Sequence, residues 1–420
     1  MEQFRINGGI KLTGEYELTG AKNAVLPILA ATIVTGNESK IKSCPDLSDV
    51  QTMFTILREL GCKVTEEEDG VIINTEPINS YSIPEHLMRE MRSSVFLMGP
   101  MIARCGQVKL SYPGGCEIGL RPIDIHLSAL RKLGVVIKEA HGFLECTAEK
   151  LTGNRIILDF PSVGATENVM LAATAAEGET KIINPAKEPE IIDLQRFLNA
   201  CGAEIKGAGT SEIVIQGKKS YHQVEHRVIP DRIEGGTVLS AAAITGGNIV
   251  LRNAIPEHMS MILSKFKEAG CRIKEGNDTV EMISPDRLKA VRVVKTQPYP
   301  GFPTDMQSQF LTAMTVARGT SVITETIFES RFKHVDELTK MGAKIMVDGR
   351  TAIISGVKNL TGARVIAKDL RGGASLVIAG LGAEGETIVE NICHIDRGYD
   401  KFEMALRKIG ADIKRESTKA

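Results

Sequence analysis

Apolar residues fall along this chain in two alternating patterns. The first is a run that is apolar on nearly every face, rich in small residues and closed by glycine. It occurs as AVLPILAATIVTG (24–36), SVFLMGPMIARCG (94–106), NVMLAATAAEG (168–178), TVLSAAAITGG (237–247), FLTAMTVARG (310–319) and LVIAGLGAEG (376–385). A helix without a polar face is a buried helix. The second pattern reads as the end of an amphipathic helix, a capping glycine and then a strand. Its six occurrences are LRELGCKV (57–64), LRKLGVVI (130–137), FLNACGAEI (197–205), FKEAGCRI (266–273), LTKMGAKI (338–345) and LRKIGADI (406–413). Their glycines, Gly61, Gly134, Gly202, Gly270, Gly342 and Gly410, recur every 68 to 73 residues. That period is too long for the common solenoids. Each buried run also leads into a short strand, such as KIKSC, QVKLSY or NIVLRN. The expected unit is therefore a buried helix, a strand, an outer amphipathic helix and further strands, six times over. Six such units exceed one domain, and two α/β domains of three units each fit the usual size range. The crossover is expected near EHRVIPDR (225–232), and the early strands in INGGIKLTGEYEL need a place, which the last unit could supply.

Composition narrows the partners. The 420 residues carry a formal net charge of −1, which argues against a general nucleic-acid or membrane-surface binder. No apolar run is long enough to span a membrane, and the first residues lack the pattern of a signal peptide. The eight cysteines form neither a CxxC pair nor a zinc spacing, so they are expected to be reduced thiols. Cys62, Cys201 and Cys271 adjoin the repeating glycine and read as structural.

Polar residues stand where a purely structural repeat has no need of them. The buried runs are preceded by Lys22-Asn23, Arg92-Ser93, Ser162-Val163-Gly164, Arg232, Asp305 and Arg371, all at equivalent distances from the glycine of their unit. Helix N-termini already favour anions, so added cations there are unfavourable unless the ends serve a strongly anionic ligand. Arg121 and Arg397 occupy equivalent positions at the starts of outer helices, and Arg331 lies close to the same place in its unit. The planar fork of Arg suits carboxylate and phosphate. Asp305 and Asp369 add carboxylates. A thiol, Cys116, sits in the glycine-rich stretch YPGGCEIGLRPIDIH (112–126), a composition that suits a loop able to close over a substrate. Together they point to a multiply charged anionic substrate and acid/base chemistry with no metal and no cofactor. There is no HExxH, no P-loop and no dinucleotide fingerprint.

At these residues the chain closely resembles the UDP-N-acetylglucosamine 1-carboxyvinyltransferases, enolpyruvyl transferases of peptidoglycan synthesis. The resemblance runs in order through GAKNAVLP (20–27), MRSSVFLMGP (91–100), PGGCEIGLRPIDIHL (113–127), SVGATEN (162–168), PDRIEGGT (230–237), GFPTDMQ (301–307), FESRFKHVDEL (328–338), DLRGGASL (369–376) and HIDRGYDK (394–401). It implies a two-domain inside-out α/β barrel. Residues 22–229 would form one domain, with the Cys116 loop, and residues 1–21 plus 230–420 the other, with the active site in the cleft. It further implies a cytoplasmic enzyme that transfers the enolpyruvyl group of phosphoenolpyruvate to the 3′-hydroxyl of UDP-N-acetylglucosamine. By this resemblance Cys116 protonates C3 of phosphoenolpyruvate and Asp305 is the base for the sugar hydroxyl. Lys22, Asn23, Arg92, Arg121 and Arg397 would hold phosphoenolpyruvate and the intermediate, with Arg331, Asp369 and Arg371 supporting them. The nucleotide sugar would meet Arg92, Arg121, Pro122, Ile123, Asp124, His126, Leu127, Ser162, Val163, Gly164, Asp305 and Ile327. A cysteine at position 116 implies covalent inactivation by fosfomycin. One departure is Phe160, where some relatives carry Lys near the diphosphate. His126 is expected to position the loop or the sugar, and His258, His334 and His394 to lie at the surface. The shikimate-pathway transferase, which shares fold and chemistry, lacks this Cys loop. A non-catalytic nucleotide-sugar binder would have no need of the intact Cys116, Asp305 and cation set. An RNA-end cyclase would need a nucleotide-accepting His for which there is no pattern. The oligomeric state is left open.

Overall fold

Two sets of three apolar helices form the centres of two units. The computed structural model describes residues 2–112, 123–218 and 220–417, apart from the side chains of Arg92 and Ser93. Within these, one unit spans 20–229 and the other takes 2–19 with 230–417.

In the first unit the central helices are α1 (Lys22–Thr35), α2 (Met98–Cys105) and α3 (Val163–Ala173). Every residue of α1 except Asn23 is buried. Small residues let the backbones approach: a Cβ at Gly99 would stand 2.3 Å from the carbonyl oxygen of Asn168. Three sheets cover the helices. Strand Glu38–Lys42 pairs antiparallel with Gly70–Asn74, which pairs with Lys63–Glu67, while Val224–Arg227 adds a parallel edge. Gln107–Ser111, Phe143–Thr147 and Val136–Ala140 make the second sheet. Glu179–Ile183 joins Glu212–Gln216 and, in parallel, Arg155–Ile157 in the third, with Glu204–Lys206 outermost. Alternate residues such as Ile156, Ile182, Ile213 and Ile215 are fully buried, as expected of sheets with one face on a core.

The second unit repeats the plan with α4 (Arg232–Thr245), α5 (Gln307–Met314) and α6 (Leu370–Gly382). Its sheets are built on Asn248–Arg252, Thr320–Thr324 and Glu386–Glu390. The early strands complete two of them. Thr13–Glu17 runs parallel to Asn248–Arg252, and Glu2–Asn7 lies between Glu386–Glu390 and Asp412–Ser417, antiparallel to both. The last sheet thus supplies part of the place the sequence required. With helices inside and sheets outside in each unit, the chain has the two-domain inside-out α/β architecture.

The glycines act as the pattern predicts in the outer helices: Gly61, Gly134, Gly202, Gly270, Gly342 and Gly410 all have φ between +89° and +105°, where a side chain is strained. The central helices differ in part. α1, α2 and α4 stop at left-handed Gly36, Gly106 and Gly246, but α3 and α5 stop several residues before Gly178 and Gly319. There Thr174 and Thr315 donate their hydroxyls to the carbonyls of Leu171 and Thr312, and i→i−3 turns take over the backbone bonding.

Candidate active site

The polar residues that precede the buried runs in sequence stand at or just before the N-terminal ends of the six central helices. Lys22 is the first residue of α1. Arg92 opens a 3-10 turn, Arg92–Leu97, that leads into α2. Ser162 caps α3, its hydroxyl accepting from Ala165 N at 3.3 Å. Asp231 caps α4 ahead of Arg232, accepting from Ile233 N and Glu234 N at 2.7 and 3.0 Å. Asp305 sits in the turn Thr304–Met306 ahead of α5. Asp369 caps α6 and accepts from Gly372 N at 2.8 Å. Cys116, Arg121 and Pro122 lie outside the described residues.

In the first unit Lys22 is paired. Its Nζ is 2.8 Å from Oδ2 of Asp49, a nearly buried residue in the first turn of the outer helix Ser48–Glu59. Nothing in the sequence marked Asp49, because an acidic residue is ordinary in a first helical turn. Asn23, beside Lys22, is half-buried. A second group joins segments far apart in sequence. The buried His126, in the outer helix Asp124–Lys132, has Nδ1 2.8 Å from Asn168 Nδ2, so Asn168 donates and Nδ1 accepts. Asn168 also donates to Val95 O and accepts from Gly99 N, so one amide links α2, α3 and the outer helix. A Cβ on Gly164 would meet the His126 ring at 2.9 Å. The Asp124–Leu127 segment and Ser162–Gly164 are therefore neighbours, with Ile123 and Leu127 buried. Burial holds the His126 pKa down at about 4, against a smaller opposing effect of Asp124, so the ring is neutral. Phe160 is exposed.

Sequence reading also missed an acidic group near the start of α3. Burial, then the neighbouring Glu190 and Glu188, push the Glu167 carboxyl up to about 8. It stays protonated near neutral pH.

In the second unit Asp305 is held between two guanidinium groups. Arg331 Nη2 donates to its Oδ1 at 2.7 Å and Arg371 Nη2 to its Oδ2 at 3.3 Å. Both arginines are only 3% exposed, while the Asp305 side chain is 25% exposed, so solvent reaches these pairs from the carboxylate side alone. Arg371 lies over the ring of Tyr399, 5.3 Å from its centre, and Arg331 over Phe328 at the same distance. Burial opposes the Arg371 charge, but Tyr399, Asp305 and Asp231 outweigh it and hold the group cationic. Tyr399 in turn shares its hydroxyl with Thr237 at 2.8 Å and accepts from Gln309 at 3.3 Å, tying α4 to α5. Arg397, two residues before Tyr399, is half-buried. Ile327 follows the buried Glu325, whose carboxylate accepts from Ile327 N at 2.8 Å.

His334 corrects an expectation. It is buried, not at the surface, and burial lowers its pKa to about 4 despite nearby Asp369. The reason is the missing side chain at Gly372: a Cβ there would lie 3.2 Å from His334 Cβ, so the outer segment packs directly on the start of α6. His258 and His394 are half-buried.

Chemically, the second unit offers a carboxylate able to accept a proton, oriented by two cations whose own charge suits an anionic ligand. Five of the described cysteines are buried in ways that make them poor reactive thiols. Burial pushes Cys44, Cys62 and Cys201 up to about 12 and Cys146 and Cys271 to about 11. Among the described residues no group of His, Cys, Asp and Glu could hold a metal ion, and no helix is long and apolar enough to cross a membrane.

Comparison with known proteins agrees along the whole chain. The family model described as EPSP synthase (3-phosphoshikimate 1-carboxyvinyltransferase) matches residues 6–406. A protein of Caldanaerobacter subterraneus subsp. tengcongensis named UDP-N-acetylglucosamine 1-carboxyvinyltransferase 2 is 55% identical over 99% of this chain and 100% of its own. One of the same name from Carboxydothermus hydrogenoformans is 51% identical over the same shares. Among solved structures, the enolpyruvyl transferase NikO from Streptomyces tendae superposes with a TM-score of 0.89 at 24% identity, covering 100% of this chain and 99% of that one.

Proposed function

The chain belongs to the EPSP synthase family, and from that premise we propose that it is a UDP-N-acetylglucosamine 1-carboxyvinyltransferase. It transfers the enolpyruvyl group of phosphoenolpyruvate to the 3′-hydroxyl of UDP-N-acetylglucosamine and releases phosphate, at the entry to peptidoglycan synthesis. The observation that carries the choice of acceptor is the full-length identity of 51–55% to relatives that bear this name.

The reaction is addition followed by elimination. The sugar oxygen attacks C2 of phosphoenolpyruvate and loses its proton to Asp305, while C3 gains a proton from the Cys116 thiol. The tetrahedral intermediate then loses a proton from C3, the C2–O bond to phosphate breaks, and the enol ether and inorganic phosphate leave. The pairing of Asp305 with Arg331 and Arg371 supports its role as base, since it fixes the carboxylate and keeps anionic charge balanced nearby. Lys22, Asn23, Arg92, Arg121 and Arg397 hold the phosphate and carboxylate, with Asp369 and Arg371 shaping the start of α6. The nucleotide sugar takes Ile123, Asp124, His126, Leu127, Ser162, Val163, Gly164 and Ile327, with Arg92, Arg121 and Pro122. The contact of His126 with Gly164 supports one pocket made of both segments. The reading assigns both sets of residues to a single reaction, in the cytoplasm, with fosfomycin alkylating Cys116. Six copies of one unit belong to the same proposal, supported by the six glycines of like φ after the outer helices.

The test is phosphate release from phosphoenolpyruvate with UDP-N-acetylglucosamine, with shikimate-3-phosphate as the control acceptor and Cys116→Ser alongside. Release with the nucleotide sugar alone, abolished by fosfomycin, is the expected result. Release with shikimate-3-phosphate alone would replace the substrate while leaving the family intact.

A further inference from the structure

Glu325 follows the strand Thr320–Thr324 and is fully buried. Among the described residues no Lys or Arg pairs with it. A buried carboxylate without a cation is costly unless hydrogen bonds replace the lost water. Here four donors do so. Oε1 accepts from Thr296 Oγ1 at 2.9 Å, Ile327 N at 2.8 Å and Phe328 N at 3.1 Å, and Oε2 accepts from Thr304 Oγ1 at 2.8 Å.

The bond to Thr304 has a further effect. A hydroxyl has one proton, and Thr304 gives its proton to Glu325, so its lone pairs are left to accept. They accept from Arg331 Nη1 at 2.9 Å, and Nη2 of the same guanidinium holds Asp305 Oδ1 at 2.7 Å. Glu325 also fixes the backbone of Phe328, the ring over which Arg331 lies. A guanidinium can only donate, so Thr304 must accept from Arg331 and turn its proton to Glu325, and every bond in the row from Glu325 through Thr304 and Arg331 to Asp305 runs one way.

We propose that Glu325 is a positioning residue that sets the orientation of the Asp305 carboxylate through Thr304 and Arg331. The proposal rests on the reading of Asp305 as the base. Glu325→Gln isolates the effect. Its amide oxygen can keep the three bonds of Oε1, which leaves the amide N–H facing Thr304. The hydroxyl then meets two donors and its own proton loses its acceptor, so nothing any longer fixes the direction in which its lone pairs face Arg331.

The experiment measures kcat and KM by phosphate release for wild type, Asp305→Asn, Glu325→Gln, Thr304→Val, Thr304→Ser and the Glu325→Gln/Thr304→Val pair, with thermal unfolding of each. Glu325→Gln is expected to lower kcat about 10- to 100-fold with little change in KM for UDP-N-acetylglucosamine. The double variant should be no worse than its poorer single variant, and Thr304→Ser should recover most of what Thr304→Val loses. Wild-type kcat in Glu325→Gln, or losses that multiply in the double variant, would overturn the relay. Should Glu325→Gln fail to fold, Thr304→Val against Thr304→Ser decides alone, and equal kcat in those two overturns it. A wild type with no turnover, or an Asp305→Asn variant with full turnover, sinks the functional reading and this proposal with it. A defect confined to the relay predictions sinks the relay alone.

Discussion

Lys22 and Asp49 form an ion pair with Nζ 2.8 Å from Oδ2, at the start of a helix whose every other residue but Asn23 is buried. A cation at a helix N-terminus is unfavourable by itself, and Asp49 offsets this from the neighbouring outer helix. Removing Asp49 takes a close counter-charge from Lys22 in an enclosed setting. Asp49→Ala is expected to lower the unfolding free energy by about 1–3 kcal/mol. Lys22→Met on top of it should recover much of that loss. Denaturant unfolding of the two single variants and the double variant checks the coupling. Equal and additive losses would show that the pair has no special role.

Stability should depend on pH in two opposed ways within residues 20–229. The folded pKa of His126, about 4, lies below its ordinary 6.5. The unfolded chain therefore takes up that proton first, and the contribution is present above 6.5 and lost as pH falls towards 4. Glu167 has the opposite sign. Its folded value of about 8 lies above its ordinary 4.5, so its contribution is present below 4.5 and lost as pH rises towards 8. Each group acts with a slope of at most ~1.4 kcal/mol per pH unit inside its window. Denaturant midpoints from pH 4 to 9 should show Glu167→Gln flattening the upper window and His126→Gln the lower. Unchanged profiles in both variants would contradict the burial of these groups as ionisable sites.

Gly99 tests how closely the central helices must approach. A methyl group there would come 2.3 Å from the carbonyl oxygen of Asn168, and backbone cannot yield as a side chain can. Gly99→Ala should cost about 1–3 kcal/mol in unfolding free energy. It should also raise KM for the nucleotide sugar, since Asn168 holds His126 as well. A variant as stable as wild type would mean that the helices separate freely.

Much of the architecture is legible in residue order, because a run such as AVLPILAATIVTG has no polar face to give to water and Gly61 has no side chain to clash at φ +95°. The cations were visible for the opposite reason: Lys22 and Arg371 contradict their local helix. What stayed hidden were partners that contradict nothing. Asp49 suits a first helical turn, and Glu325 reads as an ordinary polar residue after a strand, though it is fully buried. The burial of His334 depends on Gly372, 38 residues away, and no local pattern carries that distance.

The strand Glu2–Asn7 lies between partners that are made almost a whole chain length later. During synthesis it therefore waits, with both edges unpaired, while residues 20–229 acquire every strand their own sheets need, the last being Val224–Arg227. The ribosome thus delivers one unit ready to fold and leaves the other open until Asp412–Ser417 emerges. Waiting strand edges are templates for wrong partners. Premature termination near the 3′ end of the message would yield a chain with one sound unit and one adhesive strand, a substrate for chaperones rather than a weaker enzyme.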